Sequence, residues 1–344
     1  MNPLISEVNS YPFDRLRNLL GKSSPKKNKN DFINLSIGEP KQNSNKEILK
    51  ILKKNEKLFS QYPPIESIRE LTDSYKTYLN KRFGVSNIEN ENILNLGGTR
   101  EGTFSVIQSL FNRSLKSKKP FIFMPNPFYQ IYGGASLFAG AISKHINLNE
   151  EKGFILDLDS VSESQWRKCQ LLIMCSPSNP TGSVMEKEEI LKVIKLSRKY
   201  NFYIVSDECY IDIYRKKPPE SFIQVSIEKY GNMKNIVSLH SLSKRSNLPG
   251  FRSGMICGDK KLINNFKKYR AFHGVSIPLP IQMASSAAWK DEKTVFKNRD
   301  FYKENFELAK KILNYDAPEG AFYMWLKTED GEKFSKTLFI EKNI

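Results

Sequence analysis

The chain has 344 residues, enough for a large domain with a full core plus a smaller one. Its net charge of +17 raises the question of nucleic acid, but Lys outnumbers Arg 41 to 13, and the short basic clusters Lys26 to Lys29 and Lys116 to Lys119 are broken by small polar residues without interleaved aromatics. They read as solvated surface, so no nucleic-acid partner is expected, and no apolar run reaches membrane-spanning length or resembles a signal peptide.

In chain order, an N-terminal arm with one helix-like stretch, Phe13 to Leu20, passes through a polar low-complexity linker, Lys22 to Asn30, into the body. Gly97-Gly98-Thr99-Arg100-Glu101-Gly102 then precedes an apolar stretch, and glycines at a helix start let backbone N–H groups approach a phosphate. Apolar, β-rich runs follow at Phe121 to Met124, Gln170 to Cys175, Phe202 to Val205, Ile236 to Leu239 and Met255 to Cys257, each bounded by Pro, Gly, Ser or Asp. Between the second and third, Glu186 to Tyr200 carries Ile190, Leu191, Val193 and Ile194 on or near one face. Strand, helix, strand predicts buried parallel strands, and in such sheets ligands sit beyond the carboxyl ends.

The residues just after each run are therefore the ones to inspect. Pro127-Phe128-Tyr129-Gln130-Ile131-Tyr132 is an aromatic stripe of the kind that usually packs into a core. Asn179-Pro180-Thr181-Gly182 is a common turn, and Asp207, followed by Glu208-Cys209-Tyr210, stands where an ordinary helix N-cap would. The fourth run leads into Ser241-Leu242-Ser243-Lys244-Arg245-Ser246-Asn247-Leu248-Pro249-Gly250-Phe251-Arg252. Lys244 can condense with an aldehyde, while Ser241, Ser243 and Arg252 can grip an anion. That is the equipment for an aldehyde cofactor carrying a phosphate. The four cysteines, Cys169, Cys175, Cys209 and Cys257, fall in or beside the apolar runs without Cys-x-x-Cys spacing, which reads as reduced core thiols of a cytoplasmic protein. The three histidines lack ligand spacing, so no metal site is implied.

Taken together, these strings resemble the class I/II aminotransferases, pyridoxal-phosphate enzymes of fold type I. The resemblance implies that Lys244 holds the cofactor and shuttles the substrate's α-proton, that Asp207 pairs with the protonated ring nitrogen, and that Tyr210 and Asn179 hydrogen-bond the ring hydroxyl. It implies a phosphate cup of Thr99, Arg100, Ser241, Ser243 and Arg252, with Tyr129 stacked on the ring. Tyr62, in Gln61-Tyr62-Pro63-Pro64, matches a tyrosine that reaches the neighbouring subunit's phosphate, which implies a homodimer with shared active sites. The Gly38 segment, with Asn179, would lie against the substrate. The implied fold is α/β, with a mostly parallel seven-stranded sheet in a large domain, 45–280, and a smaller α/β domain drawn from an arm, 1–44, and a C-terminal segment, 281–344.

Within the family, Tyr11-Pro12-Phe13-Asp14-Arg15-Leu16, Leu35-Ser36-Ile37-Gly38-Glu39-Pro40, Tyr62-Pro63-Pro64-Ile65-Glu66-Ser67 and Tyr269-Arg270-Ala271-Phe272-His273-Gly274 look like the bacterial succinyldiaminopimelate aminotransferases. That implies N-succinyl-2-amino-6-oxopimelate as acceptor and glutamate as donor, on the route to diaminopimelate and lysine. The alternatives are an aspartate, aromatic or sulfur amino-acid enzyme of the same fold, whether aminotransferase or β-lyase, or a non-catalytic pyridoxal-phosphate-binding copy. A regulator of this fold would carry a DNA-binding helix-turn-helix, and the residues before Gly38 are too few for one. After Pro318-Glu319-Gly320-Ala321-Phe322-Tyr323, which resembles a small-domain strand, members of the family continue for roughly fifty residues past the end of this chain, about three elements of ordinary size. That stretch carries the arginine that grips the substrate α-carboxylate. No arginine follows Arg299, so the small domain is expected to be incomplete.

Overall fold

The computed structural model describes residues 2–8, 11–21, 23–25, 32–114 and 120–344. Both basic clusters, and most of the Lys22 to Asn30 linker, lie outside the described residues. The five apolar runs become strands of one mixed sheet, joined by three more: β1 (Ile93–Leu96), β2 (Phe121–Asn126), β3 (Ile142–Asn149), β4 (Ile155–Leu156), β5 (Cys169–Cys175), β6 (Tyr203–Asp207), β7 (Ile236–Ser241) and β8 (Gly254–Gly258). Their spatial order is β1-β8-β7-β6-β5-β2-β3-β4. From β3 through β2, β5 and β6 to β7 the pairing is parallel, and β8 runs against both β7 and β1. The sheet thus has eight strands where seven were expected. The difference is β4, two residues paired antiparallel to the end of β3 at the outer edge.

The parallel strands are buried on both faces, and alternate side chains feed two separate apolar layers because successive residues of a strand point oppositely. In β5, Leu172 and Met174 enter one layer and Leu171, Ile173 and Cys175 the other. The first layer is closed by helices Arg69–Phe83, Lys187–Tyr200, Phe222–Tyr230 and Leu279–Lys290, and the second by Thr99–Leu110, Ile131–Ala139 and Lys260–His273. Helix Lys187–Tyr200 starts with a capping box between Glu186 and Glu189 and ends at Asn201 in the left-handed conformation.

The chain divides into two compact units, residues 40–323 and residues 1–39 with 324–344. In the second, helices Pro12–Leu20 and Gly331–Lys342 are joined by an Arg15–Glu332 ion pair, and the Ile33 N–H donates to the Asn343 carbonyl at 3.0 Å. No strand occurs among its described residues. Segment 318–323 belongs to the larger unit, where Gly320 forms a single bridge to Tyr214 in place of the expected small-domain strand. Among the described residues, no helix is long and apolar enough to cross a membrane.

The residue after Lys244 anchors the end of β7 to the helical layer. Arg245, 4% exposed, donates through Nη1 to the Ala288 carbonyl at 2.8 Å and through Nη2 to the Trp289 carbonyl at 3.3 Å, two of the last carbonyls of helix Leu279–Lys290. Its Nε lies 3.0 Å from Asp212 Oδ2, an ion pair without hydrogen-bond alignment, while Arg82 Nε donates to Asp212 Oδ1 at 3.0 Å. Burial alone would raise the Asp212 carboxyl, but the two guanidiniums hold it below the usual range. Arg245→Met should therefore cost about 3 kcal/mol, the scale of leaving one member of a buried pair short of its partner. Denaturant unfolding checks this, and a loss below about 1 kcal/mol would show that Arg82 alone suffices for Asp212.

Candidate active site

Strand direction alone gathers the polar motifs. β2, β5, β6 and β7 are parallel, so the segments after Asn126, Cys175, Asp207 and Ser241 emerge along one edge of the sheet. β8 is antiparallel, so its beginning, Gly254, pairs with Ser241 at that edge, and Leu96 at the end of β1 pairs with Gly254. The same edge therefore receives Gly97-Gly98-Thr99-Arg100, Tyr129, Asn179, Asp207 to Tyr210, Ser241 to Lys244, and Arg252. Of the residues singled out in the sequence, Tyr62 is fully exposed and makes none of the contacts described below. Gly38 belongs to the other unit.

Asp207 closes β6 and is 3% exposed. No helix follows it, so it is not the N-cap that its sequence position allowed; it bonds a tyrosine and its own turn instead. The Tyr132 hydroxyl donates to Oδ2 at 3.0 Å and the Cys209 N–H to Oδ1 at 3.3 Å. Burial pushes the carboxyl above the ordinary carboxylate range, and these two donors only partly offset it. A cation placed against this carboxylate would complete its neutralisation. Tyr132 had no assigned role in the sequence, although its spacing of three from Tyr129 was a usable signal: the two rings meet edge-on at 5.7 Å.

Lys244 lies in the helical turn Leu242–Arg245, which Ser241 caps by accepting the Ser243 N–H at 3.1 Å. Its Nζ stands 5.4 Å from the centre of the Phe322 ring. The Tyr210 hydroxyl is hydrogen-bonded to that of Tyr323, and Tyr210 also meets Phe322 edge-on at 5.5 Å. Phe322 and Tyr323 were invisible as site residues in the sequence. They lie more than a hundred positions from Tyr210, and only the folded chain joins them.

The anion cradle is built by close approach. Gly98 has φ +85°, and a Cβ there would stand 2.4 Å from Arg252 Nη2, so only glycine lets the guanidinium lie against the first turn of helix Thr99–Leu110. Arg252 Nη1 is braced by the Pro249 carbonyl at 2.9 Å and Nη2 by the Gly97 carbonyl at 3.4 Å. The turn itself is fixed by Glu101, whose Oε2 accepts from the Gly97 N–H at 3.0 Å and from Arg270 Nη1 at 3.0 Å. First-turn N–H groups, a guanidinium and the Ser241 and Ser243 hydroxyls make a donor set suited to a phosphate monoester. An amine, a buried carboxylate that needs a cation and a phosphate cradle on one edge fit the aldehyde, the protonated ring nitrogen and the phosphate of pyridoxal phosphate. Among the described residues, no cluster of His, Cys, Asp and Glu could hold a metal ion.

Behind the site, Glu208 accepts from Ser206 Oγ at 2.9 Å, Ser238 Oγ at 2.8 Å and the Phe222 N–H at 3.0 Å. Its Oε2 lies 2.9 Å from His240 Nε2, and His240 Nδ1 lies 2.5 Å from the Tyr75 hydroxyl. This buried network joins the residue after Asp207 to the residue before Ser241, fixing the spacing between β6 and β7.

The raised Asp207 carboxyl has a pH consequence. The folded cofactor-free protein holds this proton more tightly than the unfolded chain, so the group's stabilising contribution is complete below about pH 3.8 and is lost as pH rises through the folded value. Asp207→Asn removes that loss. The melting temperature of the cofactor-free variant should therefore gain on the parent as pH rises above about 3.8; a difference that stays constant with rising pH would contradict the assignment.

Comparison with known proteins places the chain in a family. A family model described as aminotransferase class I and II matches residues 30–344. An LL-diaminopimelate aminotransferase of Aquifex aeolicus is 30% identical over 315 residues, 88% of this chain and 78% of that enzyme. An aspartate aminotransferase of Pyrococcus horikoshii is 28% identical, over 90% of this chain and 80% of its own. The crystal structure of an aminotransferase from Neisseria meningitidis superposes with a TM-score of 0.93 at 37% identity, covering 100% of this chain and 88% of that one.

Proposed function

The chain belongs to the class I and II aminotransferases, pyridoxal-phosphate-dependent enzymes that exchange an amino group between amino acids and oxo acids, and on that premise we propose that it transaminates a substrate of the diaminopimelate type. The observation that carries the catalytic part is the convergence of Lys244, buried Asp207 and the Gly98–Arg252 cradle on one sheet edge. When bound, the cofactor supplies an electron sink that makes the substrate's α-proton removable.

In this reading Lys244 holds the cofactor's aldehyde carbon. Released as an uncharged amine, it takes the substrate α-proton and keeps it at Nζ for return. Asp207 balances the ring-nitrogen proton, and Tyr132 keeps that carboxylate oriented. Asn179 and Tyr210 face the ring hydroxyl, and Tyr129 covers the ring. Thr99, Arg100, Ser241, Ser243 and Arg252 bind the phosphate, while Asn179 contacts the substrate. Tyr62, fully exposed in the single chain, serves the neighbouring subunit's phosphate in a homodimer. A cytoplasmic setting suits four cysteines that are all free.

For the acceptor, the subgroup strings favour N-succinyl-2-amino-6-oxopimelate with glutamate as donor. A second reading, the same oxo acid without its succinyl group, whose aminated form is LL-diaminopimelate, is favoured by the name of the Aquifex relative. The two differ by a succinyl group on the distal nitrogen, so one experiment separates them. The purified cofactor-loaded protein is mixed with glutamate, aspartate, an aromatic amino acid, LL-diaminopimelate and N-succinyl-LL-2,6-diaminopimelate, and the loss of cofactor absorbance is followed. Glutamate and the succinyl compound should respond together. A response to LL-diaminopimelate with the succinyl compound inert selects the second reading, and a response confined to aspartate or an aromatic amino acid rejects both. Lys244→Ala should abolish turnover, and borohydride reduction of the parent should leave the pyridoxyl group on the Lys244 peptide alone.

A further inference from the structure

Segment 318–323 delivers a hydroxyl to the site from far along the chain, and its backbone is pinned on several sides. The Arg215 N–H donates to the Glu319 carbonyl at 3.1 Å, while its guanidinium donates to the carbonyls of Gly320 at 3.1 Å and Ala321 at 3.0 Å. The Gly320 N–H donates to the Gly182 carbonyl at 2.9 Å, and the Ala321 N–H to the Ile213 carbonyl at 2.9 Å. Neither Gly182 nor Gly320 has room for a Cβ: one there would stand 2.6 Å from Pro318 and 2.4 Å from Pro177 respectively. The next two residues, Phe322 and Tyr323, pack on Tyr210 with ring centres 5.5 Å away in each case. The contact that results is a part-buried hydrogen bond between the Tyr323 and Tyr210 hydroxyls.

Only one proton can lie between two phenol oxygens. Once the Tyr210 proton is directed to the cofactor's ring oxygen, the proton in the shared bond must come from Tyr323. A hydroxyl that accepts one hydrogen bond donates a stronger one, because each bond polarises the next. We propose that Tyr323 is a positioning residue that donates to Tyr210 and so strengthens the hydrogen bond Tyr210 makes to the ring oxygen of pyridoxal phosphate, an inference that rests on the reading of Tyr210 given above. Tyr323 acts through Tyr210, which is why no local sequence pattern marks it.

The surroundings keep this chain of hydroxyls uncharged. Burial pushes the phenols of Tyr210 and Tyr323 up. The neighbouring titratable groups are Cys209, Cys175 and Tyr129, and burial likewise raises both thiols. The charged groups nearby are Lys244, 5.4 Å from the Phe322 ring, and Asp207, whose own bonds go to Tyr132 and Cys209.

The test is the pH titration of bound-cofactor absorbance in the holoenzyme, for the parent, Tyr210→Phe, Tyr323→Phe and the double variant. A weaker donor stabilises the ring oxygen's negative charge less, so the chromophore should take up its proton at higher pH. Tyr210→Phe should move the midpoint upward, and Tyr323→Phe should move it in the same direction by less, about half a pH unit. In the Tyr210→Phe background the Tyr323→Phe shift should vanish, since the chain is already cut. Both substitutions keep the rings and their packing, so unfolding does not confound the readout. If Tyr210→Phe shifts the midpoint and Tyr323→Phe does not, or if the Tyr323→Phe shift persists in full in the double variant, the proposal is overturned while the role of Tyr210 stands. If Tyr210→Phe itself shifts nothing, the reading of Tyr210 fails and the proposal fails with it.

Discussion

A carboxylate held in an apolar recess at the end of a buried strand is the constraint on which the rest of the site depends. Asp207 sits where β6 leaves the sheet, with Cys175 of β5 opposite it in register and Leu239 of β7 on its other side. Apolar layers on both faces of the sheet withhold water, and two donors, Tyr132 and the Cys209 N–H, do not fully replace it. Desolvation of this kind disfavours the charged form, so the cofactor-free protein carries a local instability that, in the proposed site, a protonated ring nitrogen would relieve. Binding energy and reactivity then share one origin, because the interaction that draws in the cation is the one that keeps it protonated.

In the proposed site, the other contacts set where the cofactor's other ends would lie relative to that anchor. Glu208 and His240 join the tips of β6 and β7, so the distance from Asp207 to the Ser241–Lys244 turn is set by a fully bonded buried network. Arg245 ties the same turn to a helix C-terminus, and Asp212 shares its charge with Arg82. The phosphate end depends on a missing side chain, since any Cβ at residue 98 would occupy the space of the Arg252 guanidinium. One subgroup string supports this cradle: Arg270, from the Tyr269 to Gly274 string, holds Glu101, which in turn holds the Gly97 backbone.

Much of this was legible in the amino-acid order because parallel strands buried on both faces write themselves as unbroken apolar runs. β2, β5, β6, β7 and β8 announced themselves this way, and the residues following them were the candidates for chemistry. β1 escaped notice because Asn95 interrupts four residues, and β3 because Ser143, Lys144, His145, Asn147 and Asn149 make it read as polar. What the sequence could not show were contacts between distant segments. Tyr132 on Asp207, Arg215 on the 319–321 backbone and Tyr323 on Tyr210 join positions 75, about 105 and 113 residues apart, and only Tyr132, three residues from Tyr129, carried any local signal. The family and its cofactor follow from local strings, but substrate choice depends on contacts those strings do not encode.

The central claim is that Asp207 keeps the ring nitrogen protonated, and nitrogen-15 NMR of protein reconstituted with ring-labelled pyridoxal phosphate measures this directly. The account predicts a protonated nitrogen in the parent from about pH 6 to about pH 9 and a largely unprotonated one in Asp207→Asn. An unprotonated ring nitrogen in the parent at neutral pH, or the same spectrum in both proteins, would contradict it.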